Sequence, residues 1–279
     1  LEYYDSLFVD FEKERLSRKV YEEEVEAFYK RLQGTNDLVK DVYNQLEDIK
    51  NMYDLGEDDV EIIHEVNKTL VVINDDYKKM VAKDNSKSSP YSLLNEEVTS
   101  LSNRLTVMED DFDKALKSLG NMYDDEVRAR EQLEEIEGFL EGSKNMIHSY
   151  KLPVITDNYF VQLSEANEAI DEVIKELAKK PIVIKTLNTR VDTARDLTLK
   201  LYKTTNETVK TASMSEHAIC YGNRYRYQNK KVDAGLTNAE ELFFKGLFKA
   251  SLEEAISAIN IVEPGIHERL LNDLKEKES

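Results

Sequence analysis

Eleven consecutive residues, Tyr221-Gly222-Asn223-Arg224-Tyr225-Arg226-Tyr227-Gln228-Asn229-Lys230-Lys231, gather four cations and three tyrosines in a chain that is otherwise strongly negative. Arginine takes a carboxylate through two parallel hydrogen bonds. Arginine and tyrosine are also the types in which binding energy concentrates at protein interfaces. Tyr221, Gly222, Asn223, Arg224, Tyr225 and Arg226 are therefore the candidate partner-binding residues. A second reading stays open: tyrosines at helical spacing can pack a following hairpin onto a preceding bundle, with the arginines paired to nearby glutamates. Cys220 precedes the cluster, and Arg224 and Arg226 would favour its thiolate; the plainer reading is a small residue packed on a helix. His64, His148, His217 and His267 are scattered, with no pair four apart as a helical zinc site requires. His148 lies near a helix C-terminus, where positive charge is favourable. Gly-rich phosphate loops, nucleophile elbows and paired cysteines are absent from the sequence. The many carboxylates read as solvated helix faces. No catalytic, cofactor or metal site is expected, and the chain is expected to be non-enzymatic.

The composition restricts the partners. The formal net charge of −18 opposes nucleic-acid phosphates and anionic lipid headgroups alike. A lone cysteine cannot form an internal disulfide and fits a reducing compartment. No run approaches the length of a membrane span, and no signal segment opens the chain. It begins at Leu1 in mid-pattern, which reads as a fragment of a longer protein.

The elements that must carry the cluster are long helices. Charged residues make up 34% of the 279, with only nine glycines, four prolines and no tryptophan. Leu94, Val98, Leu101, Leu105, Met108, Phe112, Ala115, Leu119, Met122, Glu126, Ala129, Leu133, Ile136 and Leu140 alternate four and three apart, with Glu126 the only polar member. That spacing predicts one helix with a seam for other helices, about 55 residues and 80 Å long. An earlier seam, Val25, Phe28, Leu32, Thr35, Val39, Val42, Leu46, Ile49 and Tyr53, extends upstream through Tyr4, Leu7, Phe11 and Tyr21 and predicts a helix over 2–54. Gly56 is expected to stop it in the left-handed conformation. A shorter helix over 57–83 carries two apolar stripes, Val60, Ile63, Leu70, Tyr77 and Val81 on one, and Ile62, Val66, Ile73 and Met80 on the other.

After the 84–90 turn and the long helix the cycle recurs, with a short helix over 157–179 and another carrying Ile184, Leu187, Val191, Ala194 and Leu201. Lys144-Asn145-Met146 repeats Lys50-Asn51-Met52. The expected fold is all-α: an elongated rod of tandem spectrin-like three-helix repeats joined by long shared helices, ending in a helical hairpin. Its divisions are 1–23, the end of a preceding repeat helix; 24–120 and 121–212, two repeats; and 213–279, the cluster with a tetratricopeptide-like hairpin. That hairpin carries Ala239, Leu242, Phe243, Gly246 and Phe248, then Leu252, Ala255, Ile256, Ile259 and Val262, before a last helix over 266–277.

Tyr-Gly-Asn-Arg-Tyr-Arg at 221–226, Ala239-Glu240-Glu241-Leu242-Phe243 and Val262-Glu263-Pro264-Gly265 resemble the C-terminal part of the EzrA family, septation ring formation regulators of Gram-positive bacteria. The resemblance implies tandem spectrin-like repeats on the cytoplasmic face of the membrane at the septum, held by an N-terminal transmembrane anchor absent from this chain. It implies binding to FtsZ and to other division and cell-wall synthesis proteins, and restraint of Z-ring formation at improper sites. The family's Gln-Asn-Arg patch corresponds to Asn223 and Arg224. Its Gln falls near Cys220, a departure, whereas Tyr221, Gly222, Tyr225 and Arg226 match. The competing reading is a purely structural spacer or homodimeric rod with no partner site in this part. A membrane-sculpting module is weaker, since no long basic face is visible.

Overall fold

The computed structural model describes residues 2–266, with side chains from Ser6 onward. The described residues form α1 (Glu2–Met52), α2 (Glu57–Asn85), α3 (Tyr91–Tyr150), α4 (Asp157–Ala178), α5 (Ile184–Gly222), α6 (Lys230–Phe244) and α7 (Phe248–Asn260), with a 3-10 turn at Asn223–Tyr225. The chain is all-α, and long helices alternate with short ones as the seams predict. The last expected helix and His267 lie outside the described residues. The contacts divide the chain into two compact units, one of Leu1–Glu126 with Lys179–Ile184 and one of Val127–Ala178 with Lys185–Ser279.

In the first unit α1, α2 and the first part of α3 form a three-helix bundle. Its core takes Tyr21, Phe28, Leu32 and Val39 from α1, Val66, Leu70, Ile73 and Met80 from α2, and Leu94 to Phe112 at 4-3 spacing from α3. Leu46, Ile63 and Ala115 continue it toward the far end. The two stripes expected on α2 merge into one: Ile63, Val66, Leu70, Ile73 and Met80 are buried, and Ile62, Tyr77 and Val81 flank them. A helix touching two neighbours buries the sector between them, and that sector cuts across both stripes. The α1 seam outruns its cover. The Tyr91 amide donates to Glu14 and the Asn95 side chain donates to the Ser17 carbonyl, while Leu7 and Phe11 stand 48% and 64% exposed.

The helix ends differ from expectation in one place. Gly56 has φ −59° and ψ 147°, so it is not left-handed; it precedes α2, whose first turn carries Glu57, Asp58 and Asp59. What ends α1 is a short parallel bridge: the Ile182 amide donates to the Met52 carbonyl at 2.8 Å, and the Asp54 amide to the Ile182 carbonyl at 2.9 Å. Left-handed residues do follow two other helices, Lys87 after α2 and Lys151 after α3.

Two seam positions that looked like faults are polar joints. Thr35 donates to Glu109 at 2.6 Å, and Arg31 pairs with the other oxygen of that carboxylate. At the next residue, Asn36 exchanges amide hydrogen bonds of 3.0 and 2.8 Å with Asn74. Such a layer favours one register, because any slip leaves its groups unmatched. Glu109→Ala should therefore lower the denaturant midpoint by an amount equal to about 1–2 kcal/mol, while Thr35→Val with Glu109→Leu should recover most of it. At the second position, Glu126 accepts the Tyr53 hydroxyl at 2.6 Å.

The second unit packs the rest of α3 with α4 and α5, then places the α6–α7 hairpin on the end of α5. Ile136 and Leu140, Ala166 and Val173, and Leu187, Val191, Ala194 and Leu201 are buried. Arg190 on α5 pairs with Glu172 and with the buried Glu176 of α4. Across the hairpin runs a buried hydroxyl chain: Ser251 donates to the Ala239 carbonyl at 2.6 Å and so takes its own hydrogen bond from Ser215. Helices α6 and α7 touch where Gly235 faces Ala258, a position at which a Cβ would come within 2.8 Å of the alanine methyl.

Candidate partner-binding site

Helix α5 runs without a break through Cys220 and Gly222, and the chain then tightens into the 3-10 turn before Asn229 begins α6. Asn229 is a strong start signal: its side chain accepts from the amides of Lys231 and Val232. The 221–229 segment is thus a tight corner between two helices, and its side chains divide into two sets.

One set builds the corner. The Tyr221 and Tyr225 hydroxyls both donate to one Glu263 carboxylate oxygen, each at 2.8 Å, which ties the corner to the segment after α7. Gly222 is buried against Leu236 and Ile259. Arg226 donates to Asn223 at 2.7 Å and is held by Asp233 and Glu240 on α6. Its charge is engaged within the fold, whereas Cys220 is exposed on α5.

The second set faces outward. Asn223 and Arg224 are exposed. The Arg224 guanidinium lies 3.8 Å from the Tyr221 ring centroid, and its Nε donates to the Tyr221 carbonyl at 3.1 Å. A guanidinium stacked this way keeps its charge while losing rotamer freedom, so less entropy remains to be lost on binding. Its terminal nitrogens make no hydrogen bond to the described residues. Tyr227 at the corner tip is fully exposed. Sequence reasoning placed Tyr227 in the cluster but not among the six site residues. Exposure at a turn tip is the one signal that singles it out, and periodicity carries none.

The structure therefore brings all six candidates together while turning only part of them outward. Among the described residues no group of three or more His, Cys, Asp or Glu side chains is arranged to hold a metal ion. What the surface offers is a fixed cation with an adjacent aromatic, suited to an anionic side chain or carboxylate.

The model of the family described as "Septation ring formation regulator, EzrA" matches residues 2–274. The chain belongs to the EzrA family. Its curated relatives include the septation ring formation regulators EzrA of Geobacillus sp., 27% identical over 99% of this chain, and of Listeria monocytogenes, 24% identical over 99%. That of Lactococcus lactis subsp. cremoris is 25% identical over 95%. The chain spans about half the length of these EzrA relatives, 46 to 48%. No solved structure matches it.

The tyrosine pair reports on the corner. The hydrogen bond to Glu263, with burial second, pushes the Tyr225 hydroxyl up to about 12. An acid whose folded pKa lies above its unfolded value near 10 stabilises the fold below pH 10, and that contribution is lost between about 10 and 12. Glu263→Gln should bring the Tyr225 transition down toward 10 in an ultraviolet titration. No change would mean that Glu263 does not hold this hydroxyl.

Proposed function

We propose that this chain is the C-terminal part of a non-enzymatic regulator of septation that binds FtsZ and other division proteins and restrains Z-ring formation at improper sites. Membership of the EzrA family supports the septation role. Among the described residues no helix is long and apolar enough to cross a membrane. In this reading the link to the cytoplasmic face of the membrane comes from an N-terminal anchor in the longer protein. The observation that carries the site is the stacked, outward-facing Arg224 beside Asn223 and Tyr227. FtsZ is acidic too, so the contact is local and shape-dependent rather than driven by net charge.

The test is co-sedimentation with polymerising FtsZ at physiological salt. Arg224→Glu should weaken binding by about 30-fold, the size of a hot-spot loss near 2 kcal/mol, with helicity unchanged. Full binding by this variant would remove Arg224 from the site. Failure of the intact chain to bind would move the FtsZ contact elsewhere in the longer protein. A specific observation also supports the spacer or homodimer reading: Phe8, Phe11 and Leu16 on α1 are 65, 64 and 61% exposed. Light scattering at low micromolar concentration tests it, and a strictly monomeric chain would remove the dimer.

A further inference from the structure

The second unit carries an open cleft between α5 and the first turns of α7, and none of the corner residues 221–229 lines it. Its volume is about 650 Å³, a size at which clefts take ligands. One end is apolar. Phe248 is buried there, and Leu247 stands beside it 53% exposed. Gly246, in the left-handed conformation, turns the chain into α7, and a Cβ at this position would stand 3.4 Å from Val154 Cβ. The turn therefore lies against Val154, itself 39% exposed. Two neighbouring apolar side chains left uncovered give a seat for one apolar side chain of a partner.

Charge selects the rest of the occupant. Among the described residues, the charged side chains that line the cleft are Glu207 of α5 and Lys249 and Glu253 of α7. All three are exposed, and none makes an ion pair with the described residues. Elsewhere in the same unit Glu172 and Glu240 are taken by Arg190 and Arg226, so Glu207 and Glu253 stand out as acids whose charge is unspent. Thr208 and Thr211 share the α5 wall. Each gives its proton to the carbonyl one turn back, of Thr204 at 2.8 Å and of Glu207 at 2.7 Å. A threonine hydroxyl has a single proton, so these two can offer a ligand only lone pairs. The α5 wall is thus an acceptor surface.

We propose that this cleft docks a segment of a partner protein in which arginine stands next to an apolar residue. A guanidinium carries several donors in a planar fork and no acceptor, and it sheds water more readily than an ammonium does. It therefore suits a wall of carboxylates and spent hydroxyls, while its apolar neighbour rests on Leu247 and Val154. A polyamine would answer the carboxylates but leave the apolar seat uncovered. Nucleic acid and anionic lipid meet the wrong sign. Lys249 opposes the incoming cation and limits the affinity. The proposal rests on neither the septation role nor Arg224, and its polarity is the reverse of the corner's fixed cation.

The test is fluorescence anisotropy with the whole chain and a fluorescein-labelled peptide of alternating arginine and leucine, at physiological salt. Glu207→Gln with Glu253→Gln should weaken binding about tenfold, the size of one lost charge-assisted contact, with helicity unchanged. The same charge change at Glu134 and Glu135, exposed on α3 outside the cleft, should weaken it less than about twofold, because salt screens distant charges. Lys249→Gln should tighten binding about threefold. Leu247 is the N-cap of α7, where serine is the better residue, so Leu247→Ser spares the fold. It should weaken the leucine peptide about fivefold and leave a peptide of alternating arginine and serine unchanged. No binding by the intact chain would overturn the proposal, as would equal losses in the two double variants. Equal affinity for the leucine and serine peptides would reduce the cleft to a site for any polycation and overturn the docking of a segment.

Discussion

Gly222→Val is expected to detach the C-terminal hairpin from α5. A Cβ at 222 would stand 2.8 and 2.9 Å from the two Leu236 methyls and 3.1 Å from Ile259 Cγ1. All three atoms sit in the centre of the hairpin core, where Leu236 and Ile259 are fully buried, so none can swing into solvent. Overpacking of this kind costs about 1–3 kcal/mol for added methylenes in a well-packed core, and valine adds two methyls beyond the clashing Cβ. A loss near the upper end is expected, read as faster amide hydrogen exchange confined to α6 and α7. Arg224→Glu, on the outside of the same corner, should leave that exchange unchanged. If Gly222→Val exchanged like the unaltered chain, the close packing at this position would be refuted. The pair also separates two kinds of candidate residue that a motif treats alike: Gly222 is buried in the hairpin core, whereas Arg224 is exposed on the corner.

The largest single loss of stability is expected for Phe112→Ala. Phe112 is 2% exposed in the core shared by α1, α2 and α3, at the heart of the 4-3 series. Truncating a buried phenylalanine removes its transfer free energy and leaves a cavity that long, stiff helices close poorly, for about 3–5 kcal/mol. Val107→Ala, on the same helix but 63% exposed, should stay within about 0.5 kcal/mol. Urea denaturation followed by circular dichroism compares the two directly. Equal midpoints would mean that the seam does not pack as described.

Most of the helical plan is legible in the sequence, because the 4-3 spacing reports which side of a helix must be covered. Leu94 to Phe112, and Phe28 with Leu32 and Val39, are buried as the spacing demands. The polar members of the seams were visible only as exceptions. That Thr35 meets Glu109, and Glu126 meets Tyr53, depends on helices some 75 residues apart in the chain coming to one level. Periodicity within one helix contains no information about that level. The same limit explains α2, whose buried sector is set by where its two neighbours stand rather than by its own stripes. Gly56 shows the converse failure: glycine is permitted a left-handed conformation but is not obliged to use it.

The sequence by itself determined that the chain is helical, where its long helices run, that a cluster of arginine and tyrosine stands out from an acidic background, and which family that cluster resembles. Only the tertiary structure decided which cluster residues face outward. Tyr221, Gly222, Tyr225 and Arg226 are drawn inward by Glu263, by Leu236 and Ile259, and by Asp233 and Glu240. Asn223, Arg224 and Tyr227 stay exposed. Arg224 and Arg226 are two residues apart and chemically identical, so their fates differ only because acidic side chains of α6 surround one of them. A side chain's chemistry is written in its residue type; whether the fold has already used it is written in its neighbours.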